Sequence, residues 1–277
     1  MTTPFRFGIV AGYAPDLGTW TAQARRAEAL GFDTLLATDP VSGGDPFVLL
    51  GAAAAVTERI TLGTFVLADP FRDARVLDWQ AQTLHQQTGG RFELGLGAGR
   101  PGADAHAAVL GREFGSPGER VTRMAETIAL LKRSIDRPRL LLAASAPKML
   151  ALAAQEADIV TFSWAPTTTE DQAQSIVDRF RTLAGPRLPE IELGLNLIAV
   201  GDEPSQQVVR FAGVDLPELA AMGAVTVLPS DPGRATENLR RWRERWGISY
   251  VTVNSGHMAP FAAIADHVRT SGAFAGG

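Results

Sequence analysis

The sequence predicts a single (β/α)8 TIM barrel that spans residues 1–277, and three observations support this fold class. Apolar, strand-like runs alternate with amphipathic helical patterns along the chain, and there are eight such pairs. The strands are mostly apolar and their connections are short, which is typical of a parallel sheet covered by helices. No linker or low-complexity segment interrupts the series, so a closed barrel is favoured over an open sheet.

In the first half of the chain, apolar runs predict the strands, and apolar residues at helical spacing predict the helices. The first strand, FRFGIV, is followed by an amphipathic helix that closes at Gly31. After strand four the next helix begins only beyond a polar stretch between Arg100 and Glu119, which predicts a long and functional insertion. The first four strands are predicted at residues 5–10, 33–39, 59–69 and 91–97, and their helices at 18–32, 46–58, 74–90 and 118–134.

The second half of the chain repeats the same alternation. Pro147 stands near the first position of its helix, where proline is well tolerated. Residues 223–229 are open to two interpretations, a ninth strand or a packed connection. The remaining strands are predicted at residues 139–145, 158–164, 191–201 and 248–254, and the helices at 147–157, 169–185, 204–223, 232–247 and 259–270.

The composition argues against several classes of partner. The formal net charge is −4, so the chain lacks the basic surplus of a nucleic-acid-binding protein. There are no cysteines, and the 4 histidines lack the spacing of metal ligands, so we expect no metal. No apolar run approaches the roughly 20 residues that cross a bilayer, and the N-terminus lacks the pattern of a secretion signal. We therefore expect a cytoplasmic protein that acts on a small molecule, without a nucleic-acid or membrane partner.

The end of strand four carries the densest glycine pattern in the chain, GLGAGRPG. Gly97, Gly99 and Gly102 fit G-x-G-x-x-G, the pattern of a dinucleotide-binding turn. That turn should open a helix at once, whereas here Pro101 and a long connection follow. Two interpretations remain: a glycine-lined barrel mouth over which a flat or phosphorylated ligand lies, or glycines that only relieve crowding inside the barrel.

The segment TGGRFELGLGAGRPGADAHAAVLG is similar to the signature segment of the luciferase-like monooxygenase superfamily. The similarity continues through ALGFDTLLATD, ERITLGTFVLADPFRDA, AASAPKMLALAAQEADIV and RWGISYVTV, in the order of the family. Within the superfamily the chain most resembles the oxidoreductases that use coenzyme F420, a 5-deazaflavin. The resemblance implies a homodimeric enzyme that transfers a hydride between F420 and a small organic substrate at the C-terminal mouth of a barrel. The alternative is a monooxygenase that uses reduced FMN and oxygen, and a third is a flavin-binding barrel without turnover.

The resemblance also implies a set of cofactor-binding residues. Asp39, after strand two, would contact the ring or the hydroxyl groups of the cofactor. At the end of strand three a bulge with a cis Phe65–Val66 peptide bond would back the ring. At the end of strand four, backbone groups would contact the cofactor. At the end of strand five, residues would bind its phosphate-bearing tail. The complete cofactor set is Asp39, Phe65, Val66, Ala68, Ala98, Gly99, Ser145, Ala146, Lys148 and Met149.

Two positions depart from the family pattern and leave the proton donor open. Pro40 stands where the family often has a catalytic histidine, and Arg100 where sugar-phosphate-oxidising relatives often have a carboxylic acid. The candidates for catalysis are Asp39 and His257, with bulk water as the other donor. The substrate side is predicted to include Arg100, Ser163, Trp164 and Asn196.

Overall fold

A computed structural model describes residues 4–12 and 14–271, and it confirms the predicted closed barrel. Eight parallel strand positions form the barrel, and β3 closes it by pairing with β5. The strands are β1 (Arg6–Ala11), β2 (Thr34–Ala37), β3 (Thr61–Thr64), β4 (Leu67–Ala68), β5 (Phe92–Gly97), β6 (Arg139–Ala144), β7 (Ile159–Phe162), β8 (Glu192–Leu197), β9 (Ala199–Val200), β10 (Val227–Leu228) and β11 (Ile248–Asn254). β4 continues the third barrel strand, and β9 and β10 lie outside the barrel.

The helices cover the outer face of this barrel. Aspartates cap the first three, because their carboxylates accept hydrogen bonds from backbone N–H groups that the first turn leaves free. Among the described residues, no helix combines the length and the apolarity that crossing a bilayer requires. The helices are α1 (Leu17–Ala29), α2 (Pro46–Ala54), α3 (Ala74–Gln87), α4 (Asp104–Val109), α5 (Pro117–Leu131), α6 (Pro147–Glu156), α7 (Glu170–Ala184), α8 (Gln206–Ala212), α9 (Leu216–Ala221), α10 (Pro232–Trp246) and α11 (Met258–Thr270).

A small apolar cluster fills the inside of the barrel and is separate from the large core between strands and helices. Glycines make room for it: a Cβ on Gly95 would lie 1.9 Å from the carbonyl oxygen of Thr64. This distance is too short for any side chain, so packing inside the barrel is enough to require glycine at position 95. The buried members of the cluster are Val10, Leu36, Leu141, Ile159 and Tyr250.

Charged side chains occupy the N-terminal end of the barrel. Arg6 donates to Glu93 at 2.6 Å and to Glu192 at 2.7 Å, and Arg139 lies 2.9 Å from Glu192. Burial raises the pKa of Glu93, and the neighbouring arginines oppose this shift. We call these four residues the base network. It joins the beginnings of four barrel strands at the end opposite to the mouth.

Several element boundaries differ from the sequence prediction. The predicted third strand is broken at Phe65–Val66, and the predicted seventh leaves the barrel after Leu197. Residues 223–229 contain β10, which pairs with β9 in a separate two-stranded sheet and is therefore not a barrel strand. The helix predicted at 204–223 is two helices, separated at Gly213, whose φ of 73° ends α8. The long insertion after strand four carries the short helix α4.

Candidate active site

The C-terminal ends of the barrel strands carry mainly small residues, and we call five of them the mouth floor. Side chains alternate between the two faces of a strand, and these five face the barrel interior at the ends of barrel strands three to seven. A Cβ on Gly97 would lie 4.0 Å from the Cβ of Ala143 and 2.9 Å from Val66. Asn196 accepts a hydrogen bond from Thr252 at 2.8 Å. The mouth floor consists of Val66, Gly97, Ala143, Thr161 and Asn196.

The break in the third strand presents two apolar side chains beside this floor. Phe65 and Val66 are half-buried and pack against the interior cluster. The peptide bond between them is cis, as the resemblance implies. The chain then pairs again with β5, where Leu67 lies opposite Leu96 and Ala68 opposite Gly97. The contact of these residues with a cofactor remains a prediction.

Asp39 holds the far side of this break in place. Its Oδ2 accepts a hydrogen bond from the backbone N–H of Ala68 at 3.0 Å, and its Oδ1 accepts one from Arg72 at 2.8 Å. Its side chain is only 9% exposed, so both bonds are shielded from water. Both oxygens thus act as acceptors for strand three and the turn after it. This arrangement suits a positioning residue better than a proton donor.

The insertion after strand four is fastened to the mouth by arginines. Arg120 donates to the carbonyl oxygens of Ala98 and Gly115, each at 2.8 Å, and stacks on the ring of Phe114 at 4.2 Å. Gly99 has a φ of 82°, and a Cβ there would lie 2.8 Å from the same ring. Gly99 therefore needs to be glycine for its conformation and for the close approach of the insertion.

Arg112 and Arg123 complete the attachment of the insertion. Arg112 donates to the carbonyl oxygen of Arg72 at 2.8 Å, and Arg123 donates to that of Phe114 at 3.0 Å. Arg123 also lies 3.4 Å from Asp69, whose pKa is raised by burial. Sequence reasoning missed these arginines. The sequence position of Arg120 could have indicated its role. A cation in the first turn of α5 interacts unfavourably with the helix dipole, so it is expected to have a partner outside the helix.

The predicted site for the phosphate-bearing tail lies at the beginning of α6. Ala146 is the N-cap residue, and no side chain caps the helix, so Ser145 does not have the capping role. Lys148 is exposed, and its Nζ lies 3.6 Å from the position of a Cβ on Gly118 in α5. The side chain of Met149 is buried in the core, which leaves its backbone for any ligand contact. Uncapped N–H groups and a nearby ammonium are what a phosphate group needs.

The predicted substrate residues are not all brought together. Arg100 and Ser163 are exposed, and Asn196 is part of the mouth floor. The ring of Trp164 stacks on Phe162 at 5.5 Å and meets Trp246 edge-on at 5.6 Å, in the layer between strands and helices. These contacts give Trp164 a packing role on the helix side.

His257 borders a cleft beside the mouth floor. The cleft measures about 400 Å³ and lies between the ends of β8 and β11 and the helix α8. His257 Nδ1 lies 3.1 Å from the carbonyl oxygen and 3.3 Å from the amide nitrogen of Val200. Burial lowers the pKa of His257, while the hydrogen bond to Val200 opposes that shift. The imidazole is therefore mainly neutral at pH 7, with Nδ1 held by Val200.

The remaining histidines serve no shared site. His85 lies 3.2 Å from Asp136, and the ring of His106 meets Phe71 edge-on at 6.4 Å. Over the described part of the chain, no group of three or more His, Asp or Glu side chains is placed to hold a metal ion.

Comparison with known proteins decides the family. A model of the luciferase-like monooxygenase family matches residues 1–247. The chain belongs to this family. The match identifies it as a luciferase-like enzyme, in agreement with the resemblance read from the sequence.

Two known relatives show the range of activities named in the family. An F420-dependent glucose-6-phosphate dehydrogenase from Intrasporangium calvum is 35% identical over 117 residues, which are 39% of this chain and 35% of that protein. A 4-hydroxyprotoasukamycin monooxygenase from Streptomyces nodosus subsp. asukaensis is 32% identical over 129 residues, 44% of this chain and 33% of that protein. The similarity therefore spans about a third of the length of these relatives.

Solved structures confirm the fold over almost the whole chain. The coenzyme F420-dependent tetrahydromethanopterin reductase from Methanopyrus kandleri has a TM-score of 0.72 at 16% identity, over 97% of this chain and 99% of that one. A long-chain alkane monooxygenase has a TM-score of 0.76 at 15% identity, over 98% of this chain and 92% of that one. At these identities the likeness concerns the fold alone.

Proposed function

We propose that this enzyme is an oxidoreductase that binds coenzyme F420 at the C-terminal mouth of the barrel and transfers a hydride between it and a small organic substrate. The observation that carries the proposal is the mouth floor. These small residues lie at the strand ends beside the half-buried side chains of Phe65 and Val66. We expect the planar ring of the cofactor to lie against these residues, because small side chains allow an aromatic ring to approach the strand ends closely. Relatives that are named F420-dependent support the choice of cofactor.

The residues present fit such a cofactor along its length. The mouth floor would lie under the ring, and Asp39 would keep the strand-three break in place through Ala68 and Arg72. The backbone of Ala98 and Gly99 would border the ring. At the other end, Ser145, Ala146, Lys148 and Met149 surround the uncapped start of α6, where the tail phosphate would be held. When bound, the deazaflavin supplies the hydride donor or acceptor, while the protein supplies binding and orientation.

Proton transfer to or from the substrate is assigned to His257. Pro40 has no proton to give, and both oxygens of Asp39 already accept hydrogen bonds. In the tautomer whose Nδ1–H donates to the carbonyl oxygen of Val200, the Nε2 atom of His257 is the remaining proton acceptor. A neutral imidazole there accepts a proton from an alcohol, and its protonated form returns one in the reverse direction. Water entering the open cleft is the competing donor.

A second candidate function is an FMN-dependent monooxygenase. The specific observation in its favour is the monooxygenase relative. Titration of the purified protein with F420 and with FMN, followed by fluorescence quenching, separates the two. We expect F420 to bind more tightly. Tight FMN binding without F420 binding would overturn the proposal, and binding of neither would favour a barrel without this chemistry.

The same titration tests the tail site. Lys148→Glu should weaken F420 binding several-fold at low salt, and the effect should shrink as salt rises because exposed charges are screened. Arg25→Glu, on the exposed face of α1, is the matched control and should leave the affinity unchanged. Equal affinities of wild type and Lys148→Glu at low salt would place the phosphate elsewhere.

We also propose that the enzyme is a homodimer. The resemblance implies this state, and the contacting helices α2 and α3 expose apolar side chains at Val48, Val76 and Trp79, of which Trp79 is 72% exposed. Exposed apolar patches of this kind often mark interfaces between proteins. Light scattering should give the dimer mass for wild type and a lower mass for Trp79→Glu. A monomeric wild type would contradict the proposal.

A further inference from the structure

The cleft beside the mouth floor is lined by an exposed arginine. Arg210, in the last turn of α8, lines the cleft and makes no hydrogen bond or ion pair with any described residue. The more buried arginines Arg72 and Arg120 have fixed acceptors, whereas Arg100 is exposed like Arg210 and its side chain has no partner among the described residues. No aspartate or glutamate is among the described residues that line this cleft. A free guanidinium in a cleft without carboxylates favours an anionic ligand, because it offers paired N–H donors that match a carboxylate.

The neighbouring wall of the cleft is apolar. The ring of Phe211 is 64% exposed, and Ile198 forms the side of the cleft toward β8. Phe211 follows Arg210 directly, so the charge and the ring belong to the same turn of α8. The helix itself is held by a small core of its own that includes Val208 and Leu216. An exposed ring on a fixed helix provides an apolar surface for a ligand at little entropic cost.

The third side of the cleft is polar and faces the barrel. Asn254 ends β11, where it lies opposite Val10 of β1, and His257 follows three residues later. Both residues line the cleft with Gln207. A ligand anchored on α8 would therefore extend toward the strand ends that form the mouth. At about 400 Å³ the cleft has the size of an ordinary small-molecule site.

We infer that the substrate is an apolar or aromatic organic acid whose carboxylate pairs with Arg210 and whose body lies against Phe211 and Ile198. This inference rests on the proposed function and names its substrate class. The carboxylate end is held away from the barrel, so the opposite, reactive end is directed to His257 and the mouth floor. A polar sugar phosphate would also pair with Arg210 but would bury less apolar surface against Phe211 and Ile198.

Binding to the protein without cofactor tests this inference separately from the choice of cofactor. Calorimetric titration uses cinnamate, its neutral isostere cinnamamide, and glucose 6-phosphate. We expect cinnamate to bind wild type at least about tenfold more tightly than cinnamamide, since a charged hydrogen-bond pair is lost in the amide. Arg210→Gln should remove this preference, and Phe211→Ser should weaken both ligands. Arg25→Gln, another exposed helical arginine, is the matched control and should change neither affinity.

Several outcomes would overturn the inference. These are no binding of cinnamate, equal binding of acid and amide, an unchanged affinity in Arg210→Gln, or tighter binding of glucose 6-phosphate that does not depend on Phe211. F420 titration of the same variants keeps the two proposals apart. Arg210→Gln should retain wild-type F420 affinity, so loss of cinnamate preference with intact F420 binding supports the substrate site. Failure of F420 binding in wild type would count against the proposed function alone.

Discussion

At the scale of single residues, the ion pair of Asp39 and Arg72 determines how the strand-three break is held. We expect Asp39→Asn to lower the free energy of unfolding by about 1–3 kcal/mol, because the amide leaves the guanidinium of Arg72 without its anion in a largely buried place. F420 affinity should fall as well. Asp45→Asn is the control, since Asp45 is half exposed and lies 3.8 Å from the same guanidinium. Urea denaturation measures the free energy of unfolding of both variants. Equal losses in Asp39→Asn and Asp45→Asn would contradict a special role for Asp39.

His257 gives the mouth a predicted dependence on pH. Burial lowers its pKa in the folded state, so the unfolded chain binds the proton more readily. The stability that comes from the neutral ring is therefore present above the unfolded pKa of about 6.5 and is lost as pH falls through the folded pKa. His257→Ala should flatten the rise in unfolding free energy with pH around pH 6.

The pH dependence of the reaction rate should also follow the protonation of His257. If His257 gives the proton during substrate reduction, kcat/KM falls as pH rises through the folded pKa of His257. In the oxidative direction the rate falls as pH decreases through it. His257→Ala should remove this limb from the pH profile and lower the rate by about 10²-fold or more. An unaltered profile and rate would identify water as the donor.

At the scale of elements, the glycines of β5 serve the packing of the third strand as well as the mouth. A Cβ on Gly97 would lie 2.9 Å from Val66, a contact that forces one of the two to move. We expect Gly97→Val to displace the strand-three break, to reduce F420 affinity at least about tenfold, and to lower stability by about 1–3 kcal/mol. Gly51→Ala on α2, where no atom lies within 4 Å, is the control and should be neutral or slightly stabilising. Full F420 affinity in folded Gly97→Val would contradict this prediction.

The strand and helix pattern could be read from the sequence, but the breaks could not. Apolar runs continue without interruption through Phe65–Val66 and through Ile198, so a local pattern predicts one strand in each place. The second break depends on a distant partner, since the N–H of Ile198 donates to the carbonyl oxygen of Thr226 at 2.7 Å. Strand-end residues such as Asn196 could be predicted, because parallel strands bring their C-terminal ends together. The pairing of Asp39 with Arg72 spans 33 residues and is set by how the turn after β4 folds, which no spacing reveals.

At the scale of the whole molecule, the two ends of the barrel have different tasks. The mouth is bordered by a cleft whose Arg210 has no partner among the described residues, whereas the opposite end carries the base network of Arg6, Glu93, Arg139 and Glu192. One oxygen of Glu93 and one of Glu192 are buried without a hydrogen-bond partner among the described residues. In this network the two glutamate charges are matched by two arginine charges, but two of the carboxylate oxygens accept no hydrogen bond from a described residue. Removing any one member should leave an uncompensated charge in the barrel interior.

Substitutions of Glu93 test whether the base network contributes to stability without affecting F420 binding at the mouth. We expect Glu93→Ala to lower the free energy of unfolding by about 3–5 kcal/mol, because Arg6 then loses the carboxylate 2.6 Å away and stays buried beside Tyr250. Glu93→Gln should cost less, since the amide oxygen still accepts from Arg6. F420 affinity, measured at a temperature where both variants are folded, should equal that of wild type, because the network lies at the end away from the mouth. A Glu93→Ala variant that folds as stably as wild type, or that loses F420 affinity while folded, would show that the two ends are coupled.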